Sequence, residues 1–460
     1  MSIGTFPSIS RYFRCDEALL DFKTGSALSQ TAGFFRFADT ICFGRSTHSS
    51  LPAAPRPDLE DLSGDVQIDC GSVTLPFDAE EVIGNLREER YANGWSGSIQ
   101  NNGLLRELYY AVRPWMPLGL RKHLQRVYLR GWDKVPFPNW PVDRTADRLL
   151  QHLLILALRS SKTDAIPFIW FWPEGANACA IMTHDVEHTP GKNFCSALMD
   201  INDSFHIPAS FQIVPEERYS VEPEFLEEIR RRGFEINIQD LNHDGRLFLH
   251  KSEFERRANA INQYGRQYRS TGFRSAVLYR NLEWFKHLQF EYDMSVPSVA
   301  HLDPQRGGCC TIMPYFIGNL VELPVTMTQD HSLFNVLNDF SMKLWEQQIQ
   351  CILKDHGLMN FIVHPDYIIG QEAQNAYRNL LTLLTRLRQE NGVWIALPKD
   401  VNCWWRQRDK MLLGRKKDQW VIEGEGSERA RLAFASVQDD HLVYSVAQTS
   451  QNMQGIPATT

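Results

Sequence analysis

From about residue 167 the chain alternates short apolar runs with stretches of helical period. Runs at 178–183, 208–214, 234–238, 272–274, 321–324, 361–363 and 393–397 have strand length. Stretches 193–205, 222–232, 252–264, 280–288, 341–356 and 371–390 space their apolar positions as helices do. Gly233 stops the second helix, and Ser252 with Glu255 has capping-box spacing at the start of the third. Strand–helix alternation repeated this often predicts an α/β fold, a parallel sheet with helices outside. A span of about 230 residues suits a barrel, and barrels place their chemistry at the C-terminal ends of the strands.

The chain ends carry a different pattern. Stretches 33–43 and 66–77 alternate apolar and polar residues with β-branched and aromatic content, separated by a Pro-rich loop at 51–57. Residues 429–447 predict two more strands around Asp439-Asp440, and the tail after Gln448 is expected to fray. Stretch 118–132 predicts an amphipathic helix. Leu120, Leu124, Val127 and Tyr128 share one face, and Lys122, Arg126 and Arg130 line another. The basic face is either solvated, with the helix packed on the main domain, or a phosphate patch for peripheral membrane contact or a sugar phosphate. The expected organisation is a β-rich accessory region at 1–110 and a helical connection at 111–166. A barrel follows at 167–410, then a short β-rich C-terminal extension at 411–460.

Composition narrows the class. The chain has 460 residues, 43% hydrophobic and 22% charged, an ordinary globular mixture. A net charge of −7 argues against a nucleic-acid binder, which needs a basic footprint. Nine cysteines, thinly spread and without a CxxC pair, are not a disulfide framework. No apolar run approaches the roughly 20 residues of a transmembrane helix. No signal-peptide pattern opens the chain. The expectation is a cytoplasmic protein.

The reactive residues fall where a barrel would use them. Thr183-His184-Asp185-Val186-Glu187-His188 ends the first strand. Gln239-Asp240-Leu241-Asn242-His243-Asp244 follows the third. Arg274 ends the fourth, Gln329-Asp330-His331 follows the 321–324 run, and His364-Pro365-Asp366 follows the 361–363 run. Charged groups at five equivalent strand ends suggest one assembled site, because burying a charge costs several kcal/mol unless it is paired or metal-bound. Carboxylate and imidazole together can hold a divalent ion, which lowers the pKa of a water to near 7. A free carboxylate can take the water's proton, an imidazole can protonate a leaving group, and an arginine can hold the base.

The order and spacing resemble the polysaccharide deacetylases of the NodB-homology type, also called carbohydrate esterase family four, over roughly 178–397. The resemblance implies a distorted (β/α)7 barrel. It implies Asp185 as catalytic base, Arg274 as the residue that orients it, and His364 as general acid. Asp330 is the candidate for the aspartate beside that histidine, with Asp293 as the other. The implied metal ligands are Glu187, His243 and Gln239, for zinc or cobalt weakly held, since Gln239 stands where the family has a histidine and an amide oxygen is a poorer ligand. Ala276 stands where the third motif usually has a proline. Asn242, Asp244 and Tyr315 are the candidates for substrate contact.

His184 points opposite to Asp185 if the segment is extended and is expected to pack in the core. His188 could replace the missing imidazole. Cys309 and Cys310 are expected to be unbridged thiols beside a loop. Trp394, Trp404 and Trp405 are expected in the core. Three functions stay open: a metal-dependent hydrolase removing an N-acetyl group from a sugar in a saccharide or glycolipid; a non-catalytic carbohydrate-binding relative; and a hydrolase of a C–N bond in a small cyclic amide.

Overall fold

The computed structural model describes residues 7–25, 27–94, 129–161, 163–417 and 419–447. They form two compact units. One gathers the residues up to Gly94, Arg144–Ala176, and those from Cys403 on; the other holds those from 129 to Asp143 and Asn177–Asn402. Residues 118–128 of the expected basic helix lie outside the described residues. Leu129 is buried and Trp132–Lys134 makes a single 3-10 turn.

The first unit draws its strands from both ends of the chain. Ala165–Ile169 pairs antiparallel with Leu432–Gln438, which pairs with His441–Val446 across the Asp439-Asp440 turn. Gly33–Phe37 and Thr40–Gly44 form a hairpin. Ser72–Leu75 lies between Phe22–Thr24 and Gln67–Asp69. Trp404 and Trp405 are core residues of this unit. The Trp404 indole donates to the Phe171 carbonyl (2.8 Å), and Trp405 lies 5.8 Å from the Trp172 ring.

The second unit is built on one nine-stranded sheet. Its strands in chain order are β1 (Ala178–Val186), β2 (Ala209–Ile213), β3 (Glu235–Gln239), β4 (Gly272–Arg274), β5 (Tyr292–Asp293), β6 (Tyr315–Ile317), β7 (Leu320–Glu322), β8 (Leu358–Val363) and β9 (Val393–Ala396). The spatial order is β6-β7-β5-β4-β3-β2-β1-β8, with β9 beside the first half of β1. Every pairing is parallel except β6 with β7. All nine residues of β1 and all six of β8 are buried, as expected of strands covered on both faces. Trp394, on β9, is half-buried rather than a core residue. The sheet curls until the chain beyond β7 reaches β8. The Thr326 hydroxyl donates to the Leu358 carbonyl (2.7 Å), and the Asn360 amide donates to the Leu323 carbonyl (2.9 Å).

Helices cover the outside: α1 (Thr189–Ser204), α2 (Pro223–Arg231), α3 (Lys251–Gln267), α4 (Lys343–Lys354) and α5 (Gln371–Glu390). In α5 the residues Ala373, Ala376, Tyr377, Leu380, Leu381, Leu384 and Leu387 are buried, one stripe at three- and four-residue spacing. Each such leucine contributes about 1.5–3 kcal/mol by leaving water. Gly233 closes α2 with φ 81°, a left-handed step that costs glycine nothing.

Two local expectations differ from the structure. Helix α3 starts at Lys251 after His250, which caps it without a side-chain bond, so Ser252 lies inside the helix rather than at its cap. Instead of a helix over 280–288 there is a six-residue 3-10 segment, Leu282–His287. The backbone is extended at Asn281 (φ −142°, ψ 101°) and again at Leu288 (φ −85°, ψ 129°), which bounds the helical turn on both sides.

Candidate active site

Strand β1 alternates its side chains, so Asp185 and His184 face opposite ways. His184 faces the core. Its Nδ1 lies 3.2 Å from the Val363 carbonyl and its Nε2 2.9 Å from the Asn202 amide nitrogen. Burial lowers its pKa to about 3. Between that value and the unfolded histidine value of about 6.5, only the unfolded chain binds this proton. Stability therefore falls as pH drops through this window. Thermal unfolding between pH 6.5 and pH 4 is expected to show a shallower decline for His184→Gln than for the natural chain; parallel declines would contradict this.

Asp185 faces the ends of the neighbouring strands. Arg274, at the end of β4, is fully buried, and its Nη1 donates to Asp185 Oδ1 at 2.6 Å. The same nitrogen reaches Thr183 Oγ1 (2.7 Å), and Arg274 Nε donates to the Met294 carbonyl (3.0 Å). Gln239, at the end of β3, donates from Nε2 to Asp185 Oδ2 (3.0 Å) and to Glu187 Oε1 (3.4 Å).

Glu187 Oε1 is a point of convergence. His243 Nε2 lies 2.8 Å from it and His364 Nε2 lies 3.4 Å from it. Burial acts to raise the Glu187 pKa, but the two imidazoles outweigh it and hold the carboxyl well below its usual range. His364 follows β8, and its Nδ1 lies 2.6 Å from Asp330 Oδ1, while its backbone N–H donates to Asp330 Oδ2 (2.7 Å). Burial disfavours the imidazolium, yet Asp330 and Glu187 raise the His364 pKa well above its usual value. Asp330 itself is fully buried. Asp293 pairs elsewhere, with Ser295.

The loop after β3 shapes the other wall. Asp240 (φ 54°) and His243 (φ 55°) take left-handed conformations, which turn His243 back toward Glu187. Arg218 holds this turn from behind by donating to the carbonyls of Asn242 and His243. Asn242 and Asp244, expected to contact substrate, have another partner here. Arg257 of α3 makes paired 2.9 Å bonds to both Asp244 oxygens and a 3.2 Å bond to Asn242 Oδ1. They tie the loop to the helix. Tyr315 is likewise drawn into an apolar cluster with Val296 and Cys309. Cys309 and Cys310 are buried and form no disulfide. His188 is exposed, with Nδ1 3.5 Å from Arg218 Nη1. Partial desolvation lowers its pKa, and the neighbouring guanidinium adds to this.

Ligand atoms of Asp185, Glu187 and His364 lie within 4.8 Å of one another. This set differs from the expected Glu187, His243 and Gln239, because the sheet brings the would-be base and acid as close as the would-be ligands. Gln239 Oε1 is buried without a hydrogen-bond partner, and His243 Nε2 approaches Glu187 without hydrogen-bond geometry. A cation beside Glu187 would give His243 Nε2 a partner. A mixed carboxylate and imidazole set suits zinc and related divalent ions, so the residues present fit such an ion. Thr183 had drawn no role from the sequence beyond opening its motif. Its hydroxyl accepts from Arg274 and donates to the Phe361 carbonyl (2.6 Å).

No family model matches the sequence, and no curated protein matches it. Among solved structures, the chain is similar to a Mycobacterium smegmatis protein described as a polysaccharide deacetylase. Identity is 19% and the TM-score 0.43, over 52% of this chain and 93% of that one. It is similar to an allantoinase (11%, TM-score 0.42, 51% and 92%) and to a peptidoglycan deacetylase from Bacillus subtilis (13%, TM-score 0.34, 52% and 96%). The chain resembles the polysaccharide deacetylases as a divergent relative, and that resemblance stands on the residues just described. No helix among the described residues is long and apolar enough to cross a membrane.

Proposed function

We propose that the second unit is a distorted (β/α)7 barrel and a metal-dependent hydrolase that removes an N-acetyl group from a sugar in a saccharide or glycolipid. The observation that carries this reading is the convergence of Asp185, gripped by Arg274 at 2.6 Å, and a His364–Asp330 dyad on Glu187. A base and an acid flank one carboxylate with imidazoles around it. Glu187 and His243 would hold the ion, with the unpartnered Gln239 oxygen as a weak third donor. When bound, a divalent ion would polarise the acetyl carbonyl and acidify a water.

The chain's own residues do the rest. Asp185 takes a proton from the attacking water. Arg274 keeps that carboxylate in place by holding Oδ1 through Nη1, while Gln239 holds Oδ2. His364, held protonated by Asp330 and Glu187, gives a proton from Nε2 to the departing amine. Asp330 fixes the ring by holding Nδ1–H.

Acetate release from N-acetylhexosamine oligomers, with zinc or cobalt added, tests the reading. Release that stops on chelation and returns with metal is expected. Gln239→His is expected to restore it at about tenfold lower metal concentration, since imidazole suits these ions better than an amide. Release that is indifferent to chelation would overturn the reading. One observation favours a second reading, a carbohydrate-binding protein without catalysis: the Gln239 amide already bridges Asp185 and Glu187.

A further inference from the structure

Two more carboxyl groups are buried together beside this site. Asp293 ends β5, Glu322 ends β7, and the two are register partners on adjacent strands. Neither is exposed to solvent. Two ionised carboxylates this close and this dry repel each other strongly. Burial raises both pKa values, and the Asp293 charge raises that of Glu322 further.

Their partners differ. Asp293 Oδ2 accepts from the Ser295 backbone N–H (2.7 Å) and Oδ1 from the Ser295 hydroxyl (2.8 Å). Glu322 Oε1 accepts from the Val296 N–H (3.0 Å), while Oε2 is buried with no donor facing it. An oxygen without a donor, next to a carboxylate well supplied with them, is the place for the shared proton. Glu322 is then the acid, and it donates to Asp293.

The pair holds a short stretch of backbone, Met294 to Val296. That stretch grips Arg274 from two directions. The Met294 carbonyl accepts from Arg274 Nε (3.0 Å), and Ser295 Oγ accepts from the N–H of Ser275, the next residue (2.8 Å). Arg274 in turn holds Asp185. We propose that Asp293 and a protonated Glu322 are positioning residues, which fix Met294–Val296 so that Arg274 is aimed at Asp185. The benefit to catalysis rests on the functional reading above; the mechanical link does not.

The test uses the full chain with Glu322→Gln, Asp293→Asn, Arg274→Met and the double variant Asp293→Asn/Arg274→Met. A glutamine amide can donate as the acid does, so Glu322→Gln is expected to keep the natural unfolding midpoint. An asparagine in place of Asp293 cannot accept from every donor that the carboxylate serves, so Asp293→Asn is expected to unfold earlier. If Asp293 acts through Arg274, the double variant loses less than the sum of the two single losses. Losses that simply add, or a Glu322→Gln loss equal to that of Asp293→Asn, would overturn the proposal.

In the acetate assay, Asp293→Asn is expected to lower kcat about 10–100-fold, the scale seen when an outer partner of a site residue is lost. KM should stay within about twofold, and Glu322→Gln should stay near natural kcat. An unchanged kcat in Asp293→Asn would also overturn the proposal. If the natural chain releases no acetate, the functional reading fails, and the unfolding cycle still decides the role of the pair.

Discussion

Asp185→Asn is expected to lower the rate of acetate release by about 10²–10⁴-fold, the usual contribution of a positioned general base. The amide keeps the shape of the carboxylate and loses its basicity. It also leaves Arg274 without a buried anion, with Thr183 and the Met294 carbonyl as its remaining partners. Two effects must therefore be separated. If the loss is chemical, kcat falls while KM and metal affinity change little. If it comes from a loosened site, KM and the unfolding midpoint move with it. A variant that retains natural kcat would remove Asp185 from the role of base, whatever its effect on folding.

Arg274→Met carries the second large effect, and its readout is stability. Arg274 is fully buried and Asp185 nearly so. Removing the cation leaves Asp185 with Gln239 as its main donor. Breaking a buried pair from one side costs about 3–5 kcal/mol, chiefly because the surviving charge is left uncompensated. Chemical denaturation of Arg274→Met should show a loss of that order. Removing both charges, as in Asp185→Leu/Arg274→Met, should return part of it, since no lone charge then remains. A loss below about 1 kcal/mol in the single variant would mean that water reaches Asp185 freely.

The sheet was legible because burial on both faces writes strands as continuous apolar runs. The 178–183 run became the core of β1, extended to Val186 through His184, which packs in the core, and Asp185, which belongs to the site. Strand-end placement singles out Asp330 and His364, the resemblance pairs them, and the structure sets them 2.6 Å apart. What escaped was decided by partners far along the chain. Asn242 and Asp244 look like substrate contacts in a loop, and Arg257, on a helix that follows, bonds both. Tyr315 looks like a mouth residue, yet it packs against Val296 and Cys309. Glu322 had a visible signal, a charge inside the 321–324 apolar run. Its meaning depends on Asp293, which a sequence does not place beside it.

Calorimetric titration of the full chain with zinc at neutral pH bears most directly on the central claim, that Glu187 and the imidazoles around it form a metal-holding hydrolytic site. The expected result is one ion per chain, with binding abolished or weakened at least tenfold in His243→Ala. Equal binding by both proteins, or no binding by the natural chain, would contradict the claim and leave the Gln239 bridge between Asp185 and Glu187 as the site's working state.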